Sequence, residues 1–267
     1  MEYRPDYAVN VEELVASKGG RLPRPVVRLI GRLLHLDYLN KYFVQGYEGV
    51  EFCTRGLEYL GVKLDVRGLE NVPDDGTLYT FVSNHPLGGI DGVALGSIVG
   101  GKFGGKVKYL VNDFLMALKG LAPICVPINK VGAQSRDLPV RLDEAFSSDC
   151  HMVVFPAGLC SRRIDGRIQD LPWGKAFINK SVKTGRSIVP VHFEAENSPR
   201  FYRVASLCKT LGIKFNLAML LLPDEMCRQR GRTFVVKIGT PIPASRFDAS
   251  RTPARWAQEV RRIVYEL

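Results

Sequence analysis

From residue 61 onward, short β-type runs alternate with segments of helical length, and no other feature of the chain restricts its fold as strongly. Strands are expected near 62–67, 77–83, 106–111, 123–128, 151–155, 187–193 and 233–238, with helices over 92–99, 136–147, 173–185, 199–211 and 253–266. This alternation predicts an α/β fold, a single mostly parallel or mixed sheet flanked by helices. With 267 residues, 46% of them hydrophobic, the chain can bury one large core or two small ones. The expected organisation is an α/β domain over 61–267 preceded by a helical segment over 1–60.

Within that segment, "RPVVRLIGRLLHLDYLNKYF" reads as one helix and "VEFCTRGLEYLG" as a second. Val26, Val27, Ile30, Leu33 and Leu34 recur at helical spacing, while Arg24, Arg28, Arg32 and His35 share an opposite arc that carries no acid. Such a helix either packs half-buried with a solvated face or lies in an anionic membrane surface. The N-terminus lacks the apolar run of a signal peptide, and the longest apolar stretch, FNLAMLLLP at 215–223, is too short to span a bilayer. A membrane partner would therefore be met peripherally.

A net charge of +10 and a pI near 9.4 call for an acidic partner. No nucleic-acid-binding motif or aromatic-basic platform accompanies the charge, so no nucleic acid is expected. Six scattered cysteines without a C-x-x-C pair argue against a zinc site or a disulfide framework, and fit a reducing cytoplasm.

The stretch "SNHPLGGID", 83–91, carries the chemistry. "TLYTFVSN" reads as a strand and "DGVALGSIVG" as the start of a helix, so His85 falls on a turn at a strand's carboxyl end, where open α/β sheets place their ligands. Alone, Asp91 would read as a helix cap and His85 as a turn residue. Together, an aspartate accepting from one imidazole nitrogen leaves the other as a base near neutral pH. No G-x-S-x-G elbow occurs, so the nucleophile is assigned to the substrate.

"NHPLGGID", followed by "PIN" at 127–129, "FPAG" at 155–158 and "IVPVHF" at 188–193, resembles the four ordered blocks of the lysophosphatidic-acid acyltransferase family of glycerolipid acyltransferases, over about residues 60–245. The resemblance implies a catalytic dyad of His85 and Asp91, acceptor headgroup binding by the second and third blocks, and an acyl-binding core from the fourth. Three departures stand out. The spacing is His-x5-Asp, one residue longer than usual; the third block has Ala157 and Cys160 in place of its glutamate and arginine; and the second has Asn129 and Lys130 in place of its acidic residue and arginine. Arg162 and Arg163 follow at once.

This variant pattern is similar to the bacterial O-acyltransferases that complete ornithine or glycine lipids. It implies transfer of a fatty acyl group from an acyl-carrier-protein or CoA thioester to the hydroxyl of a lyso-lipid, without metal or other cofactor. Arg162, Arg163 and Lys130 would bind the acceptor, a carboxylate head suiting a bidentate arginine. Backbone amides of Gly88, Gly89 or Gly158 are the candidates for stabilising the oxyanion. Lys175, Lys180, Lys183 and Arg186 could form a docking face for the acidic donor, or only a solvated helix; Cys160 is expected to be a packed, neutral thiol. The implied location is peripheral, on the cytoplasmic side of the bacterial inner membrane. The alternatives are a 1-acyl-glycerol-3-phosphate acyltransferase and a non-catalytic lipid-binding protein on the same fold.

Overall fold

The computed structural model describes residues 3–16, 20–128, 138–212 and 217–267. In chain order these form α1 (Val11–Ala16), α2 (Arg24–Leu33), α3 (Leu36–Phe43), α4 (Gly49–Leu60), β1 (Lys63–Arg67), β2 (Tyr79–Ser83), α5 (Ile90–Lys102), β3 (Val107–Asn112), β4 (Cys125–Ile128), α6 (Leu138–Ser147) and β5 (His151–Val154). A hairpin of β6 (Arg162–Ile164) and β7 (Arg167–Gln169) follows, then α7 (Ala176–Thr184), β8 (Ser187–Glu194), α8 (Pro199–Thr210), α9 (Leu222–Arg228), β9 (Thr233–Ile238) and α10 (Pro253–Glu266).

Seven strands make one mixed sheet in the order β1-β9-β8-β2-β5-β3-β4. Every neighbouring pair is parallel except β8 and β9. The carboxyl ends of β2, β5 and β8 therefore lie side by side at one edge. All seven expected strands form, each within a few residues of its predicted place.

β2 explains why this sheet is covered on both sides: all five of its residues are buried, as a central strand between two helical layers requires. Phe81 points into a core with Cys53 and Leu57 of α4 and Leu95 and Val99 of α5. Val82 points the other way, onto Phe146 of α6, Phe177 of α7 and Val260 of α10.

Besides the short helices α1 and α9, where no helix is expected, three features differ from expectation. The long N-terminal helix is two helices, because His35 adopts a left-handed backbone (φ 51°) between α2 and α3. His35 thus leaves the arginine arc and its Nε2 meets Asp224 at 2.8 Å, a carboxylate also held by Arg200 and Arg228. The β6–β7 hairpin was not anticipated, although its Asp165-Gly166 corner, with φ 49° and 79°, is the usual two-residue hairpin turn. Finally, the basic face expected over 173–186 is largely engaged. Arg186 is buried, donating to the carbonyls of Phe146, Ser148 and Cys150, while Lys180 and Lys183 both pair with Asp143.

Candidate active site

The site begins where β2 ends. Beyond Ser83, the Asn84 side chain replaces the sheet ladder: its Nδ2 donates to the Phe193 carbonyl at 3.0 Å and its Oδ1 accepts the Phe193 amide at 2.7 Å. This ties the turn to β8. The His85 carbonyl accepts the Ser161 amide at 2.8 Å, and its amide donates to Asp170 Oδ1 at 3.2 Å. Asn197, after β8, donates to the Pro86 carbonyl at 3.0 Å. Three loops at one sheet edge thus grip a single turn.

The turn then places Asp91 in the first turn of α5, with Gly89 and not Asp91 at the cap position. Asp91 is fully buried. Its Oδ2 accepts His85 Nδ1 at 3.0 Å and the amides of Leu87 and Gly88 at 2.9 and 3.1 Å; Oδ1 accepts Gly92 N at 2.9 Å. Burial alone would raise the Asp91 pKa, but the charge and hydrogen bond of His85 and the two turn amides outweigh it and hold the carboxyl below its ordinary value. An ionised Asp91 fixes Nδ1 as the protonated nitrogen and leaves the basic lone pair on Nε2. The imidazole stacks on Phe155 with centroids 4.1 Å apart, so its plane is set as well as its tautomer.

Gly88 absorbs the extra residue of the longer spacing. Its φ is +76°, and a Cβ there would stand 2.2 Å from Cys160 Sγ. The Cys160 thiol fills the space against the turn, and burial pushes its pKa up to about 12, so it is neutral and not a nucleophile.

Of the proposed oxyanion donors, Gly88 N is engaged by Asp91, and Gly158 N donates to the Phe155 carbonyl at 2.9 Å, closing its own turn. Both amides are thereby committed elsewhere. Among the described residues, the Gly89 amide at the start of α5 has no protein acceptor. Arg162 lies in β6 with Nη1 on the carbonyls of Cys160 and Ser161, at 2.7 and 3.2 Å, and its guanidinium over Phe201. Arg163, on the alternate face of the hairpin, is exposed. Lys130 lies outside the described residues.

Sequence reasoning left Asn84, Ser161, Asp170 and Asn197 without a role. Asn84 stood inside a quoted block; Asp170 and Asn197 carry no local signal. A cavity of about 420 Å³ opens behind the turn, lined in part by Pro86, Ser161, Ile168, His192 and Tyr265. A second, of about 350 Å³, lies between α7 and α10, away from His85. Among the described residues no cluster of His, Cys, Asp or Glu is arranged to hold a metal ion.

A buried aspartate orienting a histidine at the carboxyl end of a central strand is an arrangement that can act as a general base. In agreement, the acyltransferase family model matches residues 10–267, and the chain belongs to that family. It is 51% identical to a lyso-glycine lipid O-acyltransferase of Phocaeicola vulgatus, over 98% of this chain and 95% of that one. It is equally similar to a lyso-glycine lipid O-acyltransferase of Bacteroides thetaiotaomicron, over 98% of each. The 1-acyl-sn-glycerophosphate acyltransferase of Thermotoga maritima has the same fold, with a TM-score of 0.51 at 20% identity, over 81% of this chain and 77% of that one.

Proposed function

We propose that this enzyme transfers a fatty acyl group from an acyl-carrier-protein or CoA thioester to the hydroxyl of an N-acyl glycine lipid. The observation that carries the reading is the buried Asp91–His85 pair in a chain half identical, along almost its whole length, to two lyso-glycine lipid O-acyltransferases. His85 Nε2 takes the hydroxyl proton as that oxygen attacks the thioester carbonyl, while Asp91 stabilises the imidazolium. The tetrahedral oxyanion is assigned to the Gly89 amide, at the positive end of α5. Collapse breaks the carbon–sulfur bond, and His85 returns its proton to the thiolate.

The acceptor's carboxylate is assigned to Arg162. With Nη1 on two carbonyls, its Nε and Nη2 form the side of the guanidinium that can take a carboxylate bidentately. Arg163 and Lys130 remain secondary candidates, able to add charge to the same head.

An amphiphilic acceptor is met at a membrane, and α2 supports a peripheral attachment. Leu29 and Val26 are exposed on its apolar side, 67% and 39%, while Arg24, Arg28 and Arg32 form the opposite arc. Leu33 of α2 packs in one cluster with Cys160, Phe201 and Leu221, so this helix sits beside the His85 turn. Exposed Leu207 of α8 and Leu211 just past its end add further apolar surface. Among the described residues no helix is long and apolar enough to cross a membrane. Of residues 1–60, α2 is accordingly assigned to the lipid interface, whereas α4 packs into the core with α5 and so belongs to the α/β unit. The enzyme is assigned to the cytoplasmic face of the bacterial inner membrane, the side facing the thioester donors.

The deciding experiment offers purified protein hydroxyacyl-glycine, hydroxyacyl-ornithine and lysophosphatidate, each with both thioester donors. Preferred acylation of the glycine lipid is expected. Efficient turnover of lysophosphatidate alone would refute the assignment.

A further inference from the structure

Asp170 is 85 residues from His85 in sequence, follows the β6–β7 hairpin directly, and is fully buried. Its Oδ1 accepts the His85 amide at 3.2 Å and the Ser161 hydroxyl at 2.6 Å; its Oδ2 accepts the Trp173 indole at 2.9 Å. Its amide donates to Tyr265 Oη and its carbonyl accepts Arg261 Nη2, both at 2.8 Å. Every polar atom of the residue is engaged, yet among the described residues no cation bonds to the carboxylate itself: its three donors are neutral. A buried carboxylate paired with neutral donors alone is expensive to maintain. Burial does raise its pKa, more than Ser161, Trp173 and the His85 amide lower it, and the charge of His85 acts in the lowering direction too.

An anchor for the turn would explain the three hydrogen bonds. It leaves unexplained why the anchor is a carboxylate, placed without a counter-ion among the described residues on the backbone of the one histidine that must become cationic. We propose that Asp170 is the second carboxylate of the catalytic centre, a positioning residue that fixes the His85 backbone and stabilises the imidazolium electrostatically. The inference rests on His85 being the base.

The other groups around the pair do not supply that charge. Asp91 holds the opposite side of the ring through Nδ1. Tyr265 is pushed up to about 12 and Cys160 to about 12, both mainly by burial, so both are neutral. Burial lowers His192, keeping it neutral as well. Arg261 and Arg162 are cations, bound to backbone carbonyls of Asp170, Cys160 and Ser161, and their field opposes an imidazolium. Among the described residues bonded to His85, Asp170 and Asp91 are thus the carboxylates that can offset them.

The test is Asp170→Asn, with kcat, both KM values and the pH profile of kcat/KM measured on the full chain. An anionic neighbour raises the imidazolium pKa, so removing it should carry the acid limb to lower pH, by about half a unit or more. At the same time kcat should fall about tenfold or more with both KM values within about twofold. A folded variant whose limb stays at the wild-type position, whatever its kcat, would reduce Asp170 to an anchor and overturn the proposal.

Should Asp170→Asn not fold, Ser161→Ala decides. It removes the hydroxyl sharing Oδ1 but leaves the charge, so kcat should fall several-fold while the limb does not move down. Unchanged kcat, or a limb moved down, goes against the proposal. His85→Ala, assayed alongside, separates the two levels: if it is inactive, the limb result speaks of Asp170 alone, whereas near-wild-type turnover removes the base and this inference with it.

Discussion

The turn from Asn84 to Asp91 and the helix α2 are neighbours, joined through the cluster that contains Cys160 and Leu33, and they are held in opposite ways. The turn is fixed by the side chains of Asp91 in α5, Asn197 after β8 and Asp170 after the hairpin, by the Ser161 amide of the third-block loop, and by Asn84's own side chain on the backbone of β8. No residue of α2 is buried, and a hydrogen bond between His35, just past its end, and Asp224 ties that end down. Chemistry that depends on ångström placement needs the first kind of support. A surface that meets a fluid partner needs only shape and charge, which the second kind leaves exposed.

Four experiments press on that contrast, from the largest expected effect to the smallest. His85→Ala should lower kcat about a thousandfold, because it removes the base. Its melting temperature should stay within about 3 °C of wild type, since the turn is held by other residues. Retained turnover would mean that the most firmly held part of the molecule is not the reactive one.

Asp91→Asn should lower kcat a few hundredfold, roughly, because the amide cannot stabilise an imidazolium. It should also destabilise the fold by about 2–4 kcal/mol, since four donors converge on the carboxylate. The carboxyl is held below its ordinary 3.8, so its stabilisation is complete above that pH and is lost as the pH falls below it toward the folded-state value. Denaturant midpoints between neutral and acid pH should therefore decline less steeply in the variant. Equal slopes would show that Asp91 is not the group responsible.

Reversing Arg24, Arg28 and Arg32 to glutamate should weaken sedimentation with anionic vesicles by about 1 kcal/mol per residue, roughly a hundredfold in all. Turnover of detergent-dispersed substrates should be unaffected. Equal loss in both assays would mean that α2 supports the site and not the interface. The smallest effect is expected for Arg162→Lys, which keeps the charge but loses the planar fork. The acceptor KM should rise about fivefold with the donor KM unchanged, and a change confined to the donor would reassign the arginine.

The strands were legible because each carries its own β-type run, and the dyad because its two members are six positions apart with glycines between. What was not legible depends on distant partners. Nothing near residue 35 announces a helix break, since the left-handed His35 is stabilised through Asp224, 189 residues away. Arg186 looked like one more cation on a helix face because a helical projection cannot see the carbonyls ending α6. Asp170 and Asn197 lie in loops whose only meaning is what they touch. The Asp165-Gly166 hairpin is different: its signal was present in the sequence and went unread.

The pairing of β1 with β9 sets a schedule for making the molecule. Lys63 lies opposite Thr233, so β1 emerges from the ribosome roughly 170 residues ahead of β9, its neighbour in the sheet. At ordinary synthesis rates that interval is on the order of ten seconds or more. Throughout it, α4 can already pack on β2 and α5, but β1 has no strand to pair with, and long-range parallel pairing is slow once it can start. The unpaired β1 is therefore the stretch of the nascent chain that a chaperone would have most reason to cover.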